Sequence, residues 1–162
     1  FVYAATMGSY LSAIDQVPGS RPRTTIAPTI VTRDGEVVLA LGAAGGMRIL
    51  SAIVQTISRY VDQGHAPDVA VALPRVHPVQ GETDAGEYTI FGEQINLEMT
   101  PEHGWPPEVA ESLRVAGFDV VPVEKHASFG RVHLIARSGN AWQGVADADW
   151  EGTAMSASCH AQ

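Results

Sequence analysis

Cysteine is almost absent from this sequence. Cys159, close to the end, is the only one, so no disulfide can form within the chain. No lysine or arginine stands beside it to activate the thiol, and it reads as incidental rather than catalytic. Basic residues are scarce too. Ten Lys and Arg against 18 Asp and Glu give a formal net charge of −8. The few cations are scattered, whereas nucleic acid demands a basic stripe or patch, so no nucleic-acid partner is expected. No apolar run approaches the ~18 residues of a membrane-spanning helix. The start shows no basic region followed by an apolar one, so no signal peptide is read there. Internal repeats and low-complexity blocks are missing. The six histidines form no HxxxH or HExxH pairing, and His160 beside Cys159 is a lone pair of ligand types, so neither a metal nor a cofactor is assigned. The chain opens on Phe1 rather than Met. That predicts a portion cut from something longer, with part of any active site upstream.

What is present describes a globular domain. The chain has 162 residues, of which 45% are hydrophobic and 17% charged, enough for one core. A short helix or irregular segment is predicted near residues 4–13, followed by a turn-rich stretch around Pro18, Gly19, Arg21 and Pro22. Pro28–Thr32 and Glu36–Leu41 are β-rich runs flanking Asp34-Gly35, the signature of a hairpin with a type I′ turn. The second run is nearly all apolar, which predicts burial on both faces. A helix follows, with Met47, Leu50, Ile53, Val54, Ile57 and Val61 at helical spacing on one side and Gly64 at its end. A short helix is predicted over Pro67–Leu73, and another from Pro106-Pro107 through Ala116, with Gly117 as its stop. Tyr88–Phe91, Phe118–Val123, Arg131–Ala136 and Trp142–Ala146 read as strands. The domain is assigned to residues 1–150, and 151–162 to a frayed polar tail. The fold class is α/β layered (α+β), with mostly antiparallel sheets.

Two local patterns carry chemistry. Leu39–Leu41 feeds a helix through Gly42-Ala43-Ala44-Gly45-Gly46. At such a junction the first helical N–H groups have no partner within the helix, and the helix dipole adds partial positive charge. Glycine lets a ligand approach the backbone closely. Gly45 and Gly46 are therefore placed to meet an anion, or an oxygen becoming one. The pattern is neither a P-loop nor GxGxxG. Upstream, Thr24 and Thr25 offer paired hydroxyls that can hold a carboxylate. Tight-turn glycines and a turn-capping Thr pair are the plainer alternatives for both.

These pieces occur in a recognisable order. Pro18-Gly19-Ser20-Arg21-Pro22-Arg23-Thr24-Thr25-Ile26-Ala27-Pro28-Thr29-Ile30-Val31 resembles the γ-glutamyltranspeptidase segment GxRPxSSMxPTIV. Gly42-Ala43-Ala44-Gly45-Gly46-Met47-Arg48-Ile49 resembles that family's G-[AS]-P-G-G-x-x-I. Leu73-Pro74-Arg75-Val76-His77 is similar to its APR-x-H stretch, and Phe129-Gly130-Arg131-Val132-His133 to its GRVH strand. Together the motifs cover nearly the whole chain.

The resemblance implies part of an αββα N-terminal-nucleophile hydrolase sandwich, the C-terminal portion of a small subunit. It implies a precursor that cleaves itself, exposing an N-terminal Thr that is nucleophile and, through its α-amino group, base. It makes Gly45 and Gly46 the oxyanion hole and Thr24 and Thr25 the pair holding the α-carboxylate of a γ-glutamyl donor such as glutathione. The family's Thr-Thr/Ser-His nucleophile motif is not in this sequence, so the nucleophile is expected upstream and the chain alone is expected to be inactive. Where the family has Asn-x-Met-Asp-Asp-Phe, this chain has Ala5-Thr6-Met7-Gly8-Ser9-Tyr10, without the two acids that grip the substrate ammonium. A cephalosporin-acylase-like amidase, or a non-catalytic module retaining the scaffold, stays open as an alternative. The implied partners are the upstream part of the precursor (its large subunit and nucleophile-bearing segment) and a small amide substrate. Self-association stays open because incomplete sheets expose edges. By resemblance the location is periplasmic or extracellular, with a cytoplasmic one also open.

Elsewhere the structural reading is preferred. Arg75 and Arg131 are each expected to pair with a structural acid. His133 is expected to be a satisfied strand residue. Asp147, Asp149 and Glu151 read as a solvated charge run.

Overall fold

A computed structural model describes residues 18, 24–78, 81–82, 88–89, 94–99, 104–123, 129–148 and 152–155. The expected segment at 4–13 lies outside the described residues, and so do Gly8 and Ser9.

The hairpin forms as expected. β1 (Thr29–Arg33) pairs antiparallel with β2 (Glu36–Ala44) across Asp34-Gly35, whose φ angles of 54° and 83° are both positive, as a type I′ turn requires. β8 (Arg131–Ser138) pairs with the other side of β2, and β9 (Ala141–Ala146) with β8, all antiparallel, giving the order β1-β2-β8-β9. A second sheet, β3-β6-β7, joins β3 (Val76–Pro78), β6 (Gln94–Glu98) and β7 (Asp119–Val123). Its β6–β7 pair is parallel. Among the described residues β7 is an edge strand, the position where a Pro such as Pro122 is tolerated. β4 (Gly81–Glu82) and β5 (Tyr88–Thr89) make a two-residue ladder; of the strand expected at 88–91, residues 90 and 91 lie outside the described residues.

Among the described residues, three α-helices cover these sheets. α1 (Ile49–Val61) and α2 (Pro67–Ala72) lie on one face of the four-stranded sheet. α3 (Pro107–Val115) lies against β7. Its end fulfils the sequence expectation. Gly117, at φ 95°, donates its N–H to the Arg114 carbonyl, and Phe118 donates to that of Leu113, both at 3.0 Å, the two bonds of a Schellman cap. The principal core gathers Leu39, Leu41, Ile49, Ile53, Val132 and Leu134. A smaller one gathers Ile95, Leu97, Ala110 and Val120.

Two expectations about burial are corrected. β2 is not buried on both faces. Leu39 and Leu41 face the core, while Ala40 and Gly42 line an open groove on the opposite face together with Ile30, His133 and Ile135. Helix α1 turns only part of the predicted stripe inward: Ile53 is buried and Ile57 packs against the core, whereas Met47, Leu50 and Val54 are exposed, and Ile49, Ala52, Thr56 and Arg59 are buried beside Ile53. At Ala52 the backbone of Gly130 comes close, so a small residue sits there. A Cβ at Gly130 would lie 2.9 Å from the Ala52 Cβ and 2.9 Å from the Arg48 carbonyl oxygen. Part of the stretch expected to fray also has a defined place. Residues 152–155 run beside β9, where a Cβ on Gly144 would meet the Ala154 Cβ at 2.7 Å.

Candidate functional site

The glycine turn is built by its surroundings. β2 ends at Ala44, and Gly46–Arg48 forms one 3₁₀ turn that opens directly into α1. Gly45 has φ 142°, and a Cβ there would sit 2.7 Å from the Gly130 Cα, in contact no side chain can relieve. Gly46, at φ 59°, is exposed, with open space where a Cβ would be. Outside the sheet and helix ladders both glycines act as acceptors. The Gly45 carbonyl receives the Arg48 N–H at 3.2 Å, and the Gly46 carbonyl receives that of Ile49. Their own N–H groups are not among the turn's donors. The turn stands at the N-terminal, positive end of a helix.

β1 and β2 run antiparallel with Thr29 opposite Leu41, so the chain before Thr29, which carries Thr25 and Thr24, heads toward the end of β2. Thr24 is exposed and its Oγ1 accepts the Ile26 N–H at 3.1 Å, which leaves the hydroxyl proton free to donate. Thr25 is half-buried. β8 begins at this end as well, with Arg131 opposite Ala44.

Beneath the turn lies a group of buried charges. Arg75 is 1% exposed and Asp147 0%, and Arg75 Nη2 lies 2.8 Å from Asp147 Oδ2. The solvated reading of Asp147 is thus overturned, while the structural acid expected for Arg75 is found. The same Oδ2 accepts the Val132 N–H at 3.3 Å. Arg75 also donates to the Gly130 carbonyl at 2.7 Å and the Val71 carbonyl at 2.5 Å. Its backbone N–H donates to Glu98 Oε2 at 2.7 Å. Arg59, nearby, donates to the carbonyls of Leu73 (2.8 Å) and Pro74 at the end of α2. Burial, reinforced by the like charge of Arg75 and opposed by Glu98, brings the Arg59 pKa down to about 10, so it remains charged at neutral pH. The group ties the two sheets together and fixes Gly130, on which Gly45 rests. Sequence reasoning missed Glu98 and Arg59 altogether. The one available signal was a charged residue ending or interrupting an apolar run, which says nothing of the partner.

A second contact lies beside the turn. Ser51 Oγ, in the first turn of α1, is 2.8 Å from His77 Nδ1 on β3 and donates to the Arg48 carbonyl at 3.1 Å. Burial, then the positive charge of Arg48, lowers the His77 pKa, so the ring is neutral near pH 7.

Comparison with known proteins agrees with this architecture. Residues 10–157 match the gamma-glutamyltranspeptidase family. The glutathione hydrolase proenzyme of Pseudomonas aeruginosa is 30% identical over 149 residues, 92% of this chain and 24% of the relative. That of Bacillus subtilis is 27% identical over 165 residues, 94% of this chain and 25% of the relative. Among solved structures, the gamma-glutamyltranspeptidase of Pseudomonas nitroreducens complexed with L-DON superposes with a TM-score of 0.70 at 29% identity, over 88% of this chain and 67% of that one. The cephalosporin acylase of Bacillus halodurans, at 24% identity and a TM-score of 0.67, shares the fold. With its layered helices and sheets and a glycine turn leading into α1, this chain belongs to the γ-glutamyltranspeptidase family. It spans about a quarter of the length of those two curated relatives.

Proposed function

We propose that this chain supplies the oxyanion turn and the carboxylate-binding wall of a γ-glutamyl amide hydrolase or acyltransferase. Gly45 and Gly46 stabilise the negative charge that develops on the attacked carbonyl oxygen. Thr24 and Thr25 hold the α-carboxylate of the donor, glutathione being the simplest one. The Thr nucleophile with its own α-amino base lies outside this chain, in the preceding part of a precursor. Acylation forms the ester between that Thr and the γ-glutamyl carbonyl and expels the amine. Water or an acceptor amine then releases the acyl group.

What supports this reading most is the direction of the chain that carries the Thr pair: before Thr29 it runs toward the end of β2 that leads into the glycine turn and α1. The open sheet face supports a missing partner segment. Ile30, Ile135 and Trp142 are 67%, 52% and 54% exposed, an apolar surface of the kind that a second sheet covers.

A test is hydrolysis of γ-glutamyl-p-nitroanilide by the complete protein carrying Thr24→Val or Thr25→Val. A hydrogen bond to a charged group is worth roughly 1.5–3 kcal/mol, so each change is expected to lower kcat/KM about 10- to 100-fold, chiefly through KM. Unchanged kinetics in both variants would remove the threonines from the site. Gly8 and Ser9, standing where the family carries acids, favour a second reading as an amidase for a donor lacking the α-ammonium group. A glutaryl or other uncharged acyl amide turned over faster than the γ-glutamyl one would establish it.

A further inference from the structure

We propose that Ser51 and His77 are positioning residues that hold the glycine turn in its reactive shape, through a relay from His77 Nδ1–H to Ser51 Oγ and from Ser51 Oγ–H to the Arg48 carbonyl. The proposal rests on the oxyanion role of Gly45 and Gly46. The relay touches Arg48, the last residue of the 3₁₀ turn, whose N–H in turn closes the turn onto the Gly45 carbonyl at 3.2 Å.

A helical Ser bonded to the carbonyl three residues back is common and by itself implies nothing. Here the same hydroxyl has a second partner from another element. It lies 3.1 Å from the Arg48 carbonyl oxygen and 2.8 Å from His77 Nδ1. A serine hydroxyl has one proton. When that proton goes to the carbonyl, Nδ1 must carry its own hydrogen and donate to Oγ, so the network assigns the Nδ1–H tautomer. The imidazole is not free to wander. Next to it, Val76 is clasped from both sides by Gln55, whose Nε2 donates to the Val76 carbonyl at 2.8 Å and whose Oε1 accepts the Val76 N–H at 3.0 Å. Gln55 Nε2 also donates to the Ser51 carbonyl at 2.8 Å. β3 is thereby fixed to the first turns of α1, and the relay carries that fixed position to Arg48.

Protonation does not break the relay, because the imidazolium still donates from Nδ1. Arg48 is the charged group that acts on His77, and the register partner of His77 on β6, Asn96, does not titrate. Loss of the relay therefore lowers kcat equally across the pH range. A general base would instead shift the acid limb of the profile.

The experiment uses the processed full-length enzyme and γ-glutamyl-p-nitroanilide, with kcat and KM measured from pH 5.5 to 9. Ser51→Ala and His77→Leu are expected to lower kcat about tenfold, with KM changed less than about twofold, since a slightly displaced oxyanion hole weakens the transition state more than the bound substrate. Ser51→Thr keeps the hydroxyl, and His77→Asn places an N–H near the position of Nδ1–H. Both are expected to restore most of kcat. The double variant Ser51→Ala/His77→Leu should be no worse than either single one, as for groups acting in series. Thermal melts and the fraction of matured enzyme are recorded for each variant. Should Ser51→Ala fail to mature, the contrast between His77→Asn and His77→Leu decides, and an equal loss in both overturns the relay. Normal kcat in Ser51→Ala and His77→Leu, alongside impaired Thr24→Val and Thr25→Val, overturns the relay and leaves the site intact. Silence in all four removes the site itself.

Discussion

Replacing Asp147 by Asn tests the buried charge group most directly. The change keeps the shape and removes the charge. Asp147 is 0% exposed and Arg75 1%, so the cation left behind cannot turn to water. Removing one partner of such a pair costs about 3–5 kcal/mol. The lower end is expected, because Arg75 keeps its bonds to the Gly130 and Val71 carbonyls and Glu98 stays close by. About 3 kcal/mol is a large share of the roughly 5–15 kcal/mol that stabilises a domain. For a chain of this size it corresponds to a drop in Tm of roughly 6–12 °C. Urea unfolding followed by tryptophan fluorescence is the assay. Trp105 is a local reporter, since its Nε1–H donates to the Arg75 carbonyl at 3.1 Å. The control is Glu36→Ala, which removes a 3.5 Å pair with Arg137 whose partners are 74% and 40% exposed. Such a pair contributes at most ~0.5–1 kcal/mol. The double change Arg75→Met/Asp147→Leu should be less damaging than Asp147→Asn, because no buried charge is left unpaired in that pair. An Asp147→Asn variant within about 1 kcal/mol of the wild type would refute the buried-pair reasoning.

Gly45→Ala must place a Cβ 2.7 Å from the Gly130 Cα at a φ of 142°, and a loss of about 2–5 kcal/mol is expected in the same unfolding assay, whereas Gly46→Ala, at φ 59° with open space, should cost only ~1 kcal/mol. His77 has a lowered pKa in the fold, so the unfolded chain binds its proton more readily. Its contribution is complete above its ordinary value of about 6.5 and is lost as pH falls from there to the lower folded value, so stability rises with pH across that window. His77→Asn should flatten that rise in urea titrations from pH 5 to 8. The isolated 162-residue chain is expected to release no p-nitroaniline from γ-glutamyl-p-nitroanilide, and robust turnover without a partner would show that the nucleophile lies within it.

The sequence by itself determined whatever depends on neighbours along the chain. Asp34-Gly35 required positive φ at both positions and formed the hairpin turn. Pro107 and Gly117 bounded α3 because one lacks the N–H that a helix start does not use and the other takes the left-handed cap. The ordered motifs around Thr24-Thr25, Gly45-Gly46, Arg75 and Gly130 sufficed for the family, since their order and spacing survive in any single chain. Tertiary structure alone decided which of two plausible surfaces each element buries. The apolar outer face of β2 lies open here because an apolar strand records that it needs cover but not where the cover lies. Met47, Leu50 and Val54 are exposed because α1 packs on the sheet through the face of Ile49, Ala52, Ile53 and Thr56, with Gly130 closing on Ala52. Asp147 could not be told from a solvated acid, since its burial depends on Arg75 arriving from a distant part of the chain, just before β3. Spacing along a chain fixes dihedral preferences and periodicity. Desolvation and charge pairing depend on which distant groups meet, and only the folded chain brings those together.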